Sequence, residues 1–229
     1  MKRVLSNKRM FLQHVRASEY FHNLSHRPSE LSLKYPTGDY MDMLLNGTRE
    51  CTSNELLDAQ QVLQVVHSNL CILLPILQSS VKKLPAFNLV CLTNTSIEKG
   101  TSWTVGTTVV LASDDSLGHE FCHIYQRLFP IFFDRFYARY DFHPLPREDA
   151  LWWVHKEETL MDNPDISSRY YLWKNRYLVL YNKSFSPSVV DIETGNILPP
   201  FLISILPKQK VMINHPHEMF AIHVSFSMQ

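Results

Sequence analysis

The chain has 229 residues, 45% hydrophobic and 19% charged, which is enough apolar material for one sizeable core. Its 22 Lys+Arg balance 22 Asp+Glu, so no net field favours a nucleic acid or an anionic membrane as partner. The longest apolar run, Leu70 to Leu77, is far too short to span a bilayer.

Residues 1–36 read as a polar, irregular N-terminal arm, and residues 37–229 as a single domain. The arm carries Lys2, Arg3, Lys8, Arg9 and Arg16, with no acid before Glu19. It lacks the apolar stretch of a secretory signal, so a cytoplasmic location is expected. Four cysteines, Cys51, Cys71, Cys91 and Cys122, form no C-x-x-C pair and are expected to be reduced thiols.

Thr37 to Asn46 reads as a short helix ended by Gly47. Thr52 and Glu55 then make a capping box that opens a longer helix. Its apolar stripe runs through Leu56, Ala59, Leu63, Val66, Leu70, Leu73 and Leu74, up to a kink or stop at Pro75. Phe87 to Thr93 and Thr104 to Ala112 are strand-like, and together they would form a small sheet.

The next segment, Ser113 to Arg127, contains His119-Glu120-Phe121-Cys122-His123. Ser113 and Asp114 suit a helix N-cap, Leu117, Phe121, Ile124 and Leu128 fall at helical spacing, and Pro130 should stop the helix. Two histidines four apart lie one above the other on a helix, so both rings can reach one ion. Zinc accepts neutral imidazole and, with three protein ligands, keeps a position open for water. Glu120 would sit beside that water as the base that takes its proton.

Ile131 to Tyr140 reads as an aromatic-rich amphipathic helix, and Asp141 to Pro146 as a turn. Arg147 to Asp162 is mixed, anchored by Trp152 and Trp153, and Asn163-Pro-Asp165 is a turn signal. Arg169 to Trp173, Arg176 to Tyr181 and Val189 to Glu193 read as strands, with turns at Lys174-Asn175 and Thr194-Gly-Asn196. Alternating helical and strand blocks predict an α+β fold.

A zinc site needs a third protein ligand. Cys91 is one possibility, although a cysteine between Val90 and Leu92 on a strand usually belongs to the core. Glu218 is the stronger candidate. It lies in Asn214-His-Pro-His-Glu218-Met-Phe-Ala-Ile-His223, where Pro216 suits the first position of a helix and would hold Glu218 in its first turn. His215, His217 and His223 flank it and would allow a second metal.

This segment resembles the third-ligand helix of gluzincins, the thermolysin-like zinc peptidases in which two histidines and a downstream glutamate bind the ion. The metzincin pattern does not fit, because Phe129 stands where its third histidine belongs. From Thr104 through His223 the chain is similar to a group of zincin-like, metallopeptidase-like proteins of large DNA viruses and protists. The shared features are Gly106-Thr-Thr, the Tyr125-Gln-Arg tail after the second histidine, Asn163-Pro-Asp and His215-Pro-x-Glu-x-x-Ala221.

The resemblance implies a zincin-like α+β fold: a small sheet beside the His-Glu-x-x-His helix, a mostly helical remainder and a C-terminal ligand-bearing helix. It also implies Zn2+ held by His119, His123 and Glu218, with Glu120 as base in the hydrolysis of a peptide or protein substrate. Tyr171 or His215 would give the hydrogen bond that the developing oxyanion needs besides the metal. The alternative is a non-catalytic zincin-fold protein, either one that keeps its ion for structure or a protein-binding scaffold whose histidines bind no metal. One partner of the ligand set is missing from the pattern: thermolysin-like chains place an acid four residues after the glutamate, and this chain has Ile222.

Overall fold

A computed structural model describes residues 4–18, 20–21, 40–75, 84–94, 97–112, 116–157, 160–161, 165, 169–182, 186–206 and 209–226. The predicted caps Ser113 and Asp114, most of the Asn163-Pro-Asp165 turn and any helix beyond Pro75 lie outside those residues. The chain divides into two compact units, Met1–Leu128 with Ala221–Gln229, and Phe129–Phe220.

The first unit is built on a five-stranded sheet. Strand β1 (Val4–Leu5) and β2 (Thr48–Glu50) both pair with β3 (Phe87–Leu92), β1 parallel and β2 antiparallel. On the other edge of β3 lies β5 (Thr108–Leu111), parallel to it, followed by β4 (Trp103–Val105), antiparallel to β5. Because β3 is covered on both faces, it reads as a largely apolar run, with Asn88 as its buried polar exception, rather than as an alternating one.

Side chains from alternate positions of β3 enter different cores. Val90 joins Val110, Trp103 and Val105 against Phe11 and Val15 of helix α1 (Lys8–Ala17). Phe87 faces the other way, with its ring 5.7 Å from that of Phe121 and 5.7 Å from that of Tyr125. Those two residues belong to α4 (Leu117–Leu128), which packs on β4, β5 and α3 (Ser53–Leu73). The expected small sheet beside the His-Glu-x-x-His helix is therefore present in this unit.

Helix α3 starts where the capping box placed it. The Thr52 hydroxyl accepts from the Glu55 backbone N–H at 3.3 Å, and Glu55 accepts from the Thr52 N–H at 2.7 Å. Its stripe Ala59, Leu63, Val66 and Leu70 is fully buried. The short helix α2 (Tyr40–Asn46) ends at Gly47 as expected.

Three readings are corrected here. Residues 4–17, taken as part of a polar arm, form β1 and α1. Asn7 caps α1 by accepting from the Met10 N–H at 2.9 Å, and Phe11 and Val15 are 0% and 1% exposed. The span Thr104 to Ala112 is two strands rather than one, because Gly106 takes a φ of 56° and turns the chain between Val105 and Thr108. Cys51 and Cys91 form a disulfide with Cα atoms 5.4 Å apart, whereas four reduced thiols were expected. Antiparallel pairing of β2 with β3 brings them together across 40 residues of sequence, a proximity that spacing alone does not reveal.

The second unit differs from the mostly helical remainder expected for it. Its centre is a six-stranded antiparallel sheet in which β11 (Asn196–Leu198), β10 (Pro187–Asp191), β9 (Tyr177–Asn182), β8 (Tyr170–Trp173) and β6 (Phe142–Leu145) lie in that order, with β7 (Leu160–Met161) also on β9. Residues 142–145 were read as a turn. Pro144 is tolerated there because β6 is an edge strand.

The Lys174-Asn175 turn has φ of 52° and 55° at its two residues and is closed by the Arg176 N–H donating to the Trp173 carbonyl at 3.1 Å, inside a three-residue connection between the paired Trp173 of β8 and Tyr177 of β9. Helix α6 (Arg147–Lys156) lays Ala150, Trp153 and Val154 on Tyr170, Leu178, Leu180 and Val190. Helix α5 (Pro130–Tyr137) packs on β6, and β12 (Leu202–Leu206) pairs with β13 (Gln209–Met212). The last helix, α7 (Pro216–Phe226), begins in this unit at the predicted Pro216. The whole is an α+β protein, and among the described residues no helix is long and apolar enough to cross a membrane.

Candidate metal centre

Helix α4 carries the two candidate histidines. Phe121 and Ile124 are fully buried on its apolar stripe, and it stops at Leu128 because Pro130 drives Phe129 out of helical geometry, to φ −130° and ψ 50°. His119 and His123 sit one turn apart, with ring centroids 4.5 Å apart and planes at 85°. Their Nε2 atoms are separated by 2.9 Å. His123 is 0% exposed, and its Nδ1 lies 2.8 Å from the Oε1 of Gln126, also 0% exposed.

Glu120, between the two histidines in sequence, is buried at 3% exposure. Its carboxylate lies close enough to Cys122 to raise that thiol's pKa, although burial is the larger cause. A buried thiol pushed upward in this way stays protonated in the metal-free chain, which makes Cys122 a poor nucleophile. Cys91 is removed by its disulfide to Cys51. Behind the histidines, the Tyr125 hydroxyl contacts His67 Nδ1 of α3 at 3.2 Å, and the two rings stack.

Glu218 occupies the first turn of α7 in the second unit, where the sequence placed it. The helix is capped by His215. The Met219 N–H donates to the His215 carbonyl at 3.1 Å, and the His217 N–H donates to His215 Nδ1 at 3.2 Å. With Nδ1 accepting, His215 carries its proton on Nε2, which donates to the Arg169 carbonyl at 3.0 Å. Both ring nitrogens of His215 are thus engaged in holding the helix start to β8.

Tyr171 also turns inward. Its hydroxyl donates to Asp134 Oδ1 at 2.7 Å and stands 3.4 Å from His217 Nε2. Asp134 is clamped by Arg169, whose Nε donates to Oδ1 at 2.8 Å while Nη2 holds Oδ2. Burial first, then the bond to Asp134, pushes the phenol of Tyr171 upward, so it remains protonated. Burial also raises Tyr181 well above its ordinary value, with the carboxylates of Glu218 and Asp165 as further causes. Its hydroxyl donates to Asn214 Oδ1 at 2.9 Å, just before the His215 cap.

Among the described residues of the first unit, Cys51, Glu55 and Cys91 each offer a ligand atom within 4.8 Å of the others, but the two sulfurs are bonded to each other. In the same unit His119 and His123 offer two imidazole nitrogens from one helix face, beside the buried Glu120. Two neutral imidazole nitrogens with a carboxylate oxygen make a donor set that zinc accepts. Nitrogens at 2.0–2.1 Å from one tetrahedral ion stand about 3.3 Å apart, so the rings would need to open by only about 0.4 Å.

Sequence reasoning missed Gln126, the Asp134–Arg169 clamp and Asp165. Gln126 was legible only as part of a motif tail, yet its spacing of three from His123 places it on the same helix face. Asp134 and Arg169 come from different elements, and nothing in their spacing announces the pair. Comparison with protein-family models, curated proteins and solved structures yields no match.

Proposed function

We propose that the protein is a zincin-like metallopeptidase that hydrolyses peptide bonds with Zn2+ held by His119, His123 and Glu218. The observation that carries this reading is the His119–His123 pair, with Nε2 atoms 2.9 Å apart on one helix face and the buried Glu120 between them in sequence; Glu218 comes from the sequence resemblance. Zinc, when bound, supplies Lewis acidity toward a carbonyl oxygen and lowers the pKa of water.

The protein's own groups divide the remaining work. Glu120 is buried and adjoins His119 in sequence, so its carboxylate is desolvated and fixed by the helix. It takes a proton from the attacking water and passes it to the leaving amine as the peptide bond breaks. His123 and His119 fix the ion's position through rings held on one helix face. Tyr171 and His215, expected from the sequence to meet the oxyanion, act in this reading through the helix start that carries Glu218. Their polar atoms are committed to Asp134, His217 and Arg169.

A peptide-library cleavage assay on zinc-loaded protein, with the Glu120→Gln variant as control, tests the activity. Cleavage by the wild type and none by the variant is expected. A zinc-loaded wild type that cleaves nothing would leave the ion in a structural role.

A further inference from the structure

We propose that Gln126 is the positioning residue of this centre, and that its side-chain carbonyl fixes His123 in the tautomer with the proton on Nδ1, so that the Nε2 lone pair faces His119. The inference rests on the zinc-site reading for its consequence, but the tautomer itself is a property of the metal-free chain.

Gln126 and His123 are both 0% exposed, and Oε1 stands 2.8 Å from Nδ1. A neutral imidazole has one N–H and one lone pair, and an amide carbonyl can only accept. With the Gln126 carbonyl facing it, Nδ1 carries the hydrogen in this proposal, and Nε2 is the acceptor. The 2.9 Å contact between the two Nε2 atoms then has one direction, with His119 donating and His123 accepting. A directed chain results, from His119 through the ring of His123 to the carbonyl of Gln126.

The two histidines are consequently unequal. His123 already presents the atom that a cation needs, in the required tautomer and with its ring locked by a buried bond. A histidine ligand is ordinarily oriented by a carbonyl or carboxylate on its second nitrogen, and losing that partner weakens metal affinity by about 10–100-fold. In this chain the partner comes from the same helix, three residues on, where i,i+3 side chains meet. That arrangement supplies the bracing group that Ile222 cannot.

Long-range ¹H–¹⁵N NMR of the full-length metal-free protein reads the tautomer directly, and competition with a chromogenic chelator reads zinc affinity. Wild type and Gln126→Glu are expected to show His123 protonated on Nδ1, because both side chains accept there. Gln126→Met, similar in size but without an acceptor, is expected to lose that preference and to bind zinc about 10–100-fold more weakly, with Gln126→Glu restoring affinity. His123 protonated on Nε2 in the wild type overturns the proposal without recourse to any variant. Gln126→Met with unchanged tautomer and zinc affinity would also overturn it. Wild type that binds no zinc while keeping the Nδ1 tautomer would sink the metallopeptidase reading and leave the role of Gln126 standing.

Discussion

The Nε2 atoms of His119 and His123 point at each other across 2.9 Å, one helical turn apart, with the buried Glu120 between them in sequence. In the proposed reading such a pair supplies two of the three ligands of a zinc ion, and the acid beside it handles protons. Replacing Glu120 with Gln removes the base without removing a ligand. Zinc content should stay at the wild-type level, while peptide turnover falls by at least about 100-fold. Hydrolysis that survives in a clean, metal-loaded Glu120→Gln preparation would take Glu120 out of the mechanism.

The disulfide between Cys51 and Cys91 ties the end of β2 to the central strand of the first unit. Closing a loop over a separation of 40 residues is worth roughly 3–4 kcal/mol on a chain-entropy basis. Thiol titration of the denatured, unreduced protein should count two free thiols, Cys71 and Cys122. Cys51→Ser should lower unfolding stability by about 3 kcal/mol. Four titratable thiols in protein purified without reductant would show the bridge to be absent.

Glu55 gives an acid-range prediction. The Arg49 guanidinium, donating at 2.7 and 3.0 Å, and then the Thr52 backbone N–H hold its carboxyl down at about 2, from an ordinary 4.5. A depressed carboxylate stabilises the fold above its unfolded pKa and loses that contribution as pH falls through the folded one. Wild type should therefore exceed Glu55→Gln in stability at pH 6, and the gap should close between about pH 5 and pH 2. Denaturant unfolding across that range measures it, and a gap independent of pH would contradict the assignment. Thr52→Ala, which removes the cap itself, should cost about 1 kcal/mol.

Helix α1 offers a test of whether the N-terminal residues belong to the folded unit. Phe11 is fully buried, with its ring centroid 6.1 Å from that of Trp103. Phe11→Ala should cost about 3–5 kcal/mol by chemical denaturation, the range for deleting a buried aromatic side chain. A change below about 0.5 kcal/mol, typical of a surface position, would return these residues to the status of an arm.

What could be read in advance follows a physical division. Local signals carried well: the Thr52–Glu55 box opens α3, Lys174-Asn175 turns the chain, Pro130 ends α4 and Pro216 opens α7. Each is decided by a few neighbouring residues. Features that depend on distant pairing were not legible. Residues 142–145 become a strand only because β8 is beside them, and Phe11 and Val15 show as core only once Trp103 and Val90 face them. The candidate residues divide in the same way. His119, Glu120 and His123 follow from helical spacing, whereas the Asp134–Arg169–Tyr171 clamp and the commitment of both His215 nitrogens arise from tertiary placement.

Zinc stoichiometry of the dialysed full-length protein, by elemental analysis, bears most directly on the proposed three-ligand centre. About one zinc per chain is expected in the wild type, with His123→Ala and Glu218→Ala each losing most of it while remaining folded. A wild type that retains no zinc, or a Glu218→Ala variant that retains it with unchanged affinity, would contradict a site built from His119, His123 and Glu218.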